Sequence, residues 1–230
     1  MSELHIVYED DAIVVLDKPV GLSSEEGVAS ALRLHWGKSN AYVGIVHRLD
    51  TGVCGLMVCA KTPQAASVLS RQITQSQEAY AAADGRAEGK LSAPQFVKQY
   101  RAVIAGEPDE FLPPEGTLCD YLFKDSRKGR VFTVKRQRKG VREAVLEYST
   151  AASVQGFSLV NITLHTGRTH QIRVQFASRR HPLWGDGKYG SRQKGSIALQ
   201  SCCLRFVHPV NGKHMQFALP MPDGDAWALF

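Results

Sequence analysis

The sequence predicts an α+β domain built around a mixed, mainly antiparallel central sheet with a few flanking helices. Short segments rich in Val, Ile, Leu and Tyr and bounded by Gly, Pro or Asp outnumber the helical patterns. The helical patterns do not alternate regularly with these segments, as a doubly wound parallel fold would require. The 230 residues are 43% hydrophobic and 22% charged, which is typical of a globular chain of one large or two small domains.

Six strands follow from this pattern, at residues 5–8, 12–16, 55–60, 100–105, 144–148 and 157–164. Three helices are predicted at residues 25–35, 63–76 and 170–178. The first has Ser23 as its N-cap, Glu26 in a capping box and Gly37 just past its end. Pro63 fits the first turn of the second. The polar, Ala- and Gly-rich residues 76–94 are expected to form a loop or an insertion.

Several classes of protein are excluded or disfavoured by composition. No run of about 18 apolar residues occurs, so a membrane span is excluded. The first acidic residue is Glu3, and no basic region precedes an apolar stretch, so no secretory signal is expected and the protein should be cytoplasmic. The five cysteines lack a Cys-x-x-Cys pair, so neither a disulfide framework nor a structural zinc site is expected.

The net charge of +6 is concentrated in one window, residues 124–142, which carries +8 and leaves −2 on the remainder. Such a stripe on a nearly neutral body is typical of proteins that bind a phosphate backbone. Its basic residues are Lys124, Arg127, Lys128, Arg130, Lys135, Arg136, Arg138, Lys139 and Arg142. The apolar Val131, Phe132 and Val134 interrupt the run and favour a β-hairpin. A solvated hairpin whose charges only maintain solubility is the alternative.

Three short motifs contain the candidate site residues. His47-Arg48-Leu49-Asp50 lies between two apolar segments, where a loop is well placed to present a charged site, although a plain turn aspartate fits the spacing equally well. The motif GRTHQIR at residues 167–173 places an arginine at the start of a helix, suited to pairing with a carboxylate or a phosphate. The motif KQY at residues 98–100 puts Lys98 and Tyr100 on one face of a strand.

Taken together and in order, these segments resemble the RluA-type family of RNA pseudouridine synthases. The matching strings are KPVGL at 18–22, HRLDTGVCG at 47–55, KQY at 98–100, GRTHQIR at 167–173, and His-Pro pairs at 181–182 and 208–209. The match runs from about residue 6 to residue 220. It implies the pseudouridine synthase fold, with RNA-binding loops, in a single catalytic domain, 1–230, without an appended N-terminal RNA-binding module.

The resemblance also implies roles for individual residues. Asp50 matches the catalytic aspartate, whose ionised carboxylate attacks the uridine. Arg168 matches the arginine that pairs with it and keeps its pKa low. Tyr100 matches the tyrosine that stacks on the target base and serves as a general base. Arg48 matches the arginine that fills the gap left by the flipped uridine.

The remaining expected substrate-binding residues are His47, Ile172, Lys135, Arg136, Arg138 and Lys139. The expected partner is a structured RNA, ribosomal or transfer RNA, with no metal, no organic cofactor and no obligate protein partner, and the chain is expected to be a monomer. An RNA-binding or RNA-chaperone protein without catalysis and an Asp-dependent hydrolase are the alternatives. The sequence does not specify which uridine is modified.

Two departures from the family pattern concern the loop that contains Asp50. Val53 and Cys54 stand where the family has Thr and Ser, which removes two hydroxyls that could hydrogen-bond that loop. The segment Ser23-Ser24-Glu25 follows KPVGL, where a histidine is usual. These departures put the geometry of the loop in question, but not the nucleophile.

Overall fold

The computed structural model describes residues 4–82 and 95–230. These residues form eleven strands: β1 (His5–Glu9), β2 (Ile13–Lys18), β3 (Gly44–Ile45), β4 (Cys54–Ala60), β5 (Val97–Ala105), β6 (Glu115–Asp125), β7 (Arg130–Val134), β8 (Val141–Val154), β9 (Phe157–Leu164), β10 (Leu199–Val207) and β11 (His214–Ala218). The α-helices are α1 (Glu26–His35), α2 (Pro63–Ala82) and α3 (Gln171–Ser178), and two short 3-10 helices span Gly187–Tyr189 and Asp225–Leu229. In the described part of the chain, no helix combines the length and apolarity needed to cross a bilayer.

The chain divides into two compact units. The first comprises the residues up to Lys98 together with Ser201–Pro220, and the second comprises Gln99–Gln200 together with Met221–Phe230. Strands β5 and β10 therefore each contribute residues to both units. The prediction of a single domain stays a prediction.

The first unit contains the strand order β1-β2-β4-β10-β11, and β3 also pairs with β4. Ile13, Val15, Leu56 and Val58 alternate along β2 and β4 and belong to one buried apolar cluster, which also includes Leu69 of α2. The intervening residues Val14, Leu16, Met57 and Cys59 are also fully buried. Because both strands are buried on both faces, they read in the sequence as continuous apolar runs.

Gly55 begins the close approach of β4 to β10. Its φ is +116°, and a Cβ placed there would lie 2.3 Å from the backbone oxygen of Ser201. Only glycine fits this position, because any side chain would collide with main-chain atoms of the neighbouring strand. The glycine therefore fixes the strand that follows the predicted catalytic loop.

The second unit contains the strand order β5-β9-β8-β6-β7. Helix α3 packs on one face of β6 and β7, where Leu122 and Val131 form a cluster with Val174 and Tyr189. A second cluster joins Val103 and Ala198 to the C-terminal residues Ala226 and Trp227. The pairings β5–β9, β9–β8, β8–β6 and β6–β7 are all antiparallel.

The predicted α+β class with a mainly antiparallel sheet is confirmed. Helix α1 begins one residue later than predicted, and its N-cap residue is Glu25, so the prediction of Ser23 as the N-cap is wrong. The Ser23 hydroxyl nevertheless accepts a hydrogen bond from Gly27 N, in the first turn of the helix, at 2.8 Å. Helix α2 continues to Ala82, so the expected loop over 76–94 is wrong for residues 77–82. Gln, Glu and Ala in that stretch favour a helix despite its polarity. Residues 83–94 lie outside the described residues.

Five strands, β3, β6, β7, β10 and β11, were not among the six predicted segments, although the basic window was predicted to form a hairpin, which β6 and β7 make. β3 has only two residues. β6, β10 and β11 carry polar or charged residues at several positions, so the β-branched content that indicates a strand is diluted. Their assignment depends on backbone pairing, of β6 with β7 and β8 and of β10 with β4 and β11, more than on composition.

Candidate functional site

The loop between β3 and β4 contains His47, Arg48 and Asp50, and all three belong to the first unit. The His47 ring is buried, and its Nε2 accepts a hydrogen bond from Val58 N of β4 at 3.0 Å. An imidazole that accepts at Nε2 is neutral and carries its proton on Nδ1. This bond ties the start of the loop to the strand that follows it.

The neutral state of His47 follows from its surroundings. Burial lowers the pKa of His47 to about 3, and the positive charge of Lys98 contributes in the same direction. The ring of Phe96 meets it edge-on at a centroid distance of 5.7 Å. A buried, neutral ring bound to β4 supports the loop from beneath, while the predicted contact of His47 with RNA stays a prediction.

Asp50 is half-buried, and the residues on either side of it are held by another segment of the chain. The Ser24 hydroxyl accepts a hydrogen bond from Leu49 N at 2.9 Å and donates one to Leu49 O at 2.6 Å. Gly21 N donates to Thr51 O at 2.8 Å. The backbone is thus fixed immediately before and immediately after the aspartate.

Lys18 lies fully buried at the end of β2. Its Nζ donates hydrogen bonds to Pro19 O at 2.8 Å and to Leu22 O at 2.9 Å. Burial lowers the pKa of Lys18 to about 8, while the nearby Cys54, Asp50 and Asp17 act against this shift. Lys18 is therefore a buried, positively charged neighbour of Asp50 at neutral pH.

Arg48 is exposed, and its Nη1 lies 2.7 Å from Oε1 of Glu25. The side chains are 55% and 63% exposed, so this ion pair is worth at most about 1 kcal/mol. Glu25 belongs to the segment that replaces the family's usual histidine. A weak pair of this kind holds the guanidinium at the surface without preventing its release.

Tyr100 lies on β5 in the second unit, opposite Ile162 of β9. It is 5% exposed, and Lys98, two residues earlier on the same strand, is 6% exposed. Both side chains are buried, which agrees with the prediction that they share one face of the strand. The catalytic role of Tyr100 is not tested by this placement.

Arg168 lies in the loop before α3, also in the second unit. Its Nε donates to Glu143 O at 2.9 Å, and its backbone N donates to Gln171 Oε1 at 3.0 Å. Burial, followed by the nearby charge of Arg142, lowers the pKa of Arg168 from its usual value. The guanidinium is therefore oriented by β8 and by the first turn of α3, and its pairing with Asp50 stays a prediction. Ile172 is buried in the same turn.

A buried ion pair supports this part of the second unit, and the sequence analysis did not single it out. Arg173 Nε lies 2.6 Å from Asp186 Oδ2, and Arg173 Nη2 lies 2.9 Å from Oδ1. The side chains are 8% and 1% exposed. A Cβ at Gly185 would lie 2.2 Å from Ser196 O, so the residue before the aspartate must be glycine. The sequence carries a signal for this pair in the last arginine of GRTHQIR and in Gly185-Asp186, which follows the His-Pro pair at 181–182.

The nine basic residues of the window 124–142 are all exposed. The window forms a β-hairpin from β6 and β7, as predicted, followed by a loop that leads into β8. Lys135, Arg136, Arg138 and Lys139 lie in that loop. The single acid, Asp125, accepts hydrogen bonds from Arg127 N at 3.0 Å and Lys128 N at 3.1 Å within the hairpin turn.

Aromatic rings lie beneath several of these cations. Phe123 and Phe132 are direct partners across β6 and β7, so they share one face of the hairpin. The guanidinium of Arg138 lies 5.4 Å from the Phe123 ring centroid, and that of Arg130 lies 5.6 Å from the Phe132 centroid. Such contacts restrict the arginine side chains while leaving their N–H groups available to an anion.

Among the described residues, no group of three His, Cys, Asp or Glu side chains is arranged to hold a metal ion. All five cysteines are free thiols. The chemistry of the candidate residues is therefore that of one carboxylate, a tyrosine and several arginines and lysines.

Comparison with known proteins shows the family. The sequence model of RNA pseudouridylate synthase matches residues 12–178. "Ribosomal large subunit pseudouridine synthase D" of Vibrio cholerae is 32% identical over 96% of this chain and 68% of its own length. The structure of human RNA pseudouridylate synthase domain containing 4 matches with a TM-score of 0.71 and 20% identity, over 95% of this chain and 88% of that one.

The structure of human RNA pseudouridylate synthase domain containing 1 gives a TM-score of 0.72 at 21% identity, over 94% of this chain and 83% of that chain. These structural matches confirm the predicted fold, and the sequence matches confirm the predicted RluA-type resemblance. The chain therefore belongs to the RNA pseudouridylate synthase family, the isomerases that convert uridine in RNA to pseudouridine.

Proposed function

We propose that Asp50 is the nucleophile of this isomerisation and that Arg168 and Tyr100 complete the catalytic set. The observation that carries the proposal is the fixed backbone on both sides of Asp50, where Ser24 binds Leu49 and Gly21 binds Thr51. The buried ammonium group of Lys18 lies near Asp50 and binds two carbonyls of the segment that carries Ser24.

The chemistry assigns one task to each residue. The Asp50 carboxylate forms a bond to the sugar carbon 1′ of the flipped uridine as the glycosidic bond breaks, and the uracil turns. Its carbon 5 then bonds to the same sugar carbon and displaces the carboxylate, which regenerates free Asp50. The hydrogen on carbon 5 then leaves as a proton, and the freed ring nitrogen takes one up, so the product is an isomer of the substrate. Tyr100 stacks on the base and accepts the carbon 5 proton, while Arg168 pairs with the aspartate.

Arg48 fills the gap that the flipped uridine leaves in the RNA stack. Its position two residues before Asp50 and its exposed side chain support this role. His47 and Ile172 complete the proposed substrate-binding set, His47 by supporting the loop from β4 and Ile172 from the first turn of α3.

The basic loop with Lys135, Arg136, Arg138 and Lys139 is proposed to bind the RNA backbone. All four side chains are exposed, and the only acid of the window is engaged in the hairpin turn. Neutralised phosphates release counterions, so binding through this loop depends strongly on salt.

The substrate is a structured RNA, and we favour ribosomal RNA of the large subunit over transfer RNA. The support is the similarity to a synthase named for the ribosomal large subunit. On the same support we propose a cytoplasmic location. Because one chain supplies both the proposed nucleophile and the basic loop, we propose a monomer that needs no obligate protein partner, no metal and no organic cofactor.

The test uses cells that lack this protein. Pseudouridines in total RNA are mapped in these cells, and again after they receive the wild-type chain or the Asp50→Ala variant. The proposal expects one or a few sites, in large-subunit RNA, that are lost without the protein and restored only by the wild type. Restoration by Asp50→Ala would overturn the nucleophile, and a site confined to transfer RNA would overturn the target.

A further inference from the structure

The loop that contains Asp50 lacks two hydroxyl groups of the family pattern, since Val53 and Cys54 occupy the positions of the family's Thr and Ser, and the hydroxyl-bearing residue that it keeps, Thr51, is exposed. Val53 is 2% exposed and Leu49 is 7% exposed, so this backbone is shielded from water. Buried main-chain N–H and C=O groups require partners. The partners of Leu49 must therefore come from elsewhere in the chain.

Ser24 supplies them. Its side chain is 5% exposed, and its single hydroxyl serves both polar groups of Leu49, accepting from N at 2.9 Å and donating to O at 2.6 Å. Asp50 is the next residue, so the two peptide groups on either side of Leu49, both bound by Ser24, determine where the Asp50 side chain begins. Lys18 Nζ binds the carbonyls of Pro19 and Leu22, which makes the segment that carries Ser24 rigid.

We propose that Ser24 is a positioning residue for the nucleophile and that its hydroxyl replaces those absent at residues 53 and 54. The inference rests on the proposed role of Asp50. Ser24 does not touch the reacting atoms but orients the backbone from which Asp50 projects. Misplacement of a catalytic group by about 1 Å reduces rates by about 100-fold. Loss of this hydroxyl should therefore reduce the chemical step far more than RNA affinity.

The neighbouring serine provides a matched control. The Ser23 hydroxyl accepts a hydrogen bond from Gly27 N, in the first turn of α1, at 2.8 Å. Ser23→Ala removes the same group one residue away and weakens the start of the same helix. The hydrogen bonds described for Ser23 do not involve the Asp50 loop.

The experiment measures single-turnover rates at saturating RNA, and RNA affinity, for the wild type, Ser24→Ala, Ser23→Ala and Ser24→Thr. Ser24→Ala is expected to be about 10- to 100-fold slower with affinity within about 2-fold. Ser23→Ala should be close to wild type, and Ser24→Thr should recover much of the rate because it keeps the hydroxyl. Adding Val53→Thr and Cys54→Ser to Ser24→Ala should restore part of the lost single-turnover rate.

Three results would overturn the inference: a wild-type rate in Ser24→Ala, equal losses in Ser23→Ala and Ser24→Ala, or a loss confined to affinity. If Ser24→Ala does not fold, Ser24→Cys, which keeps the size and a weak donor, takes its place with the same expected slowing. An active Asp50→Asn would instead reject the proposed nucleophile. The two failures are therefore distinguishable.

Discussion

The Asp50 loop and the basic loop of residues 135–140 are organised in opposite ways. Around Asp50, buried main-chain groups are held by short hydrogen bonds from residues 21 and 24. In the basic loop every residue is exposed, and the contact described for its side chains is that of Arg138 with the Phe123 ring. A nucleophile needs one fixed position, whereas phosphate binding depends mainly on the number of charges.

The same contrast separates the basic loop from its support within the second unit. The basic loop connects β7 to β8, and α3 packs against these strands and β6. In that support, Tyr189 accepts a hydrogen bond from Val131 N at 3.0 Å, and Arg173 pairs with Asp186. The residues that support this region are therefore buried, whereas the basic residues proposed to bind RNA are exposed.

The largest expected effect is on this buried support. Arg173→Met leaves the Asp186 carboxylate, which is 1% exposed, without its partner, so the free energy of unfolding should fall by about 3–5 kcal/mol. Arg179→Met removes the more exposed pair with Asp120, at 22% and 18% exposure, and should cost about 1 kcal/mol. Urea unfolding measures both. Equal losses would show that burial of the ion pair does not determine its contribution.

Stability at acidic pH should report the burial of the Asp50 loop. The pKa of His47 is about 3 in the folded state and is near 6.5 in the unfolded state. Between these values the unfolded chain binds the proton and the folded chain does not, so stability falls as the pH falls from 6.5 towards 3. The loss should reach about 2 kcal/mol at pH 5.

The comparison is between the wild type, His47→Asn and His214→Asn, each unfolded in urea at pH 7 and at pH 5. His47→Asn should lose this part of the pH dependence. His214 is exposed on β11, and its replacement should leave the wild-type dependence intact. A wild-type pH dependence in His47→Asn would contradict a buried neutral ring.

Combined replacement of Lys135, Arg136, Arg138 and Lys139 by Gln should weaken RNA binding by about 10-fold or more at moderate salt. The plot of log affinity against log salt should become less steep, because fewer counterions are released. The rate at saturating RNA should stay close to wild type. Unchanged affinity and slope would favour the alternative that these charges only maintain solubility.

The smallest expected effect concerns the exposed pair between Glu25 and Arg48. Glu25→Gln frees the guanidinium and removes a negative charge, so RNA affinity should rise by about 2- to 5-fold. Glu26→Gln removes the same charge from the next residue, which is also exposed, and should have less effect. The larger gain in RNA affinity of Glu25→Gln over Glu26→Gln should vanish when Arg48 is also replaced by Gln. Equal effects of the two glutamates would mean that the ion pair is not involved.

The sequence predicted what depends on local pattern. The apolar runs of β2 and β4 and the hairpin of the basic window were found where the residues indicated them, whereas the N-cap of α1 is Glu25 and not Ser23. The continuation of α2 beyond residue 76 was missed because its helix-forming residues are polar. Strands β10 and β11 were missed because pairing, and not composition, specifies them.

In the candidate site, too, some features were predictable from sequence motifs and others required the structure. The motif strings identified Asp50, Tyr100 and Arg168, whose roles stay predictions. The contacts of Ser24 with Leu49 were not predictable, because the two residues are 25 positions apart and serine hydroxyls commonly bind nearby backbone instead. The departure at residues 53 and 54 was visible in the sequence, but its compensation required the structure.

Single-turnover kinetics with one RNA substrate test most directly whether Asp50 performs the chemistry while the basic loop binds. Asp50→Asn is compared with the fourfold Gln variant of the basic loop. Asp50→Asn should form no pseudouridine and bind RNA with nearly wild-type affinity, and the fourfold variant should bind weakly but react at a nearly wild-type rate once saturated. Pseudouridine formation by Asp50→Asn at the wild-type rate would contradict this division.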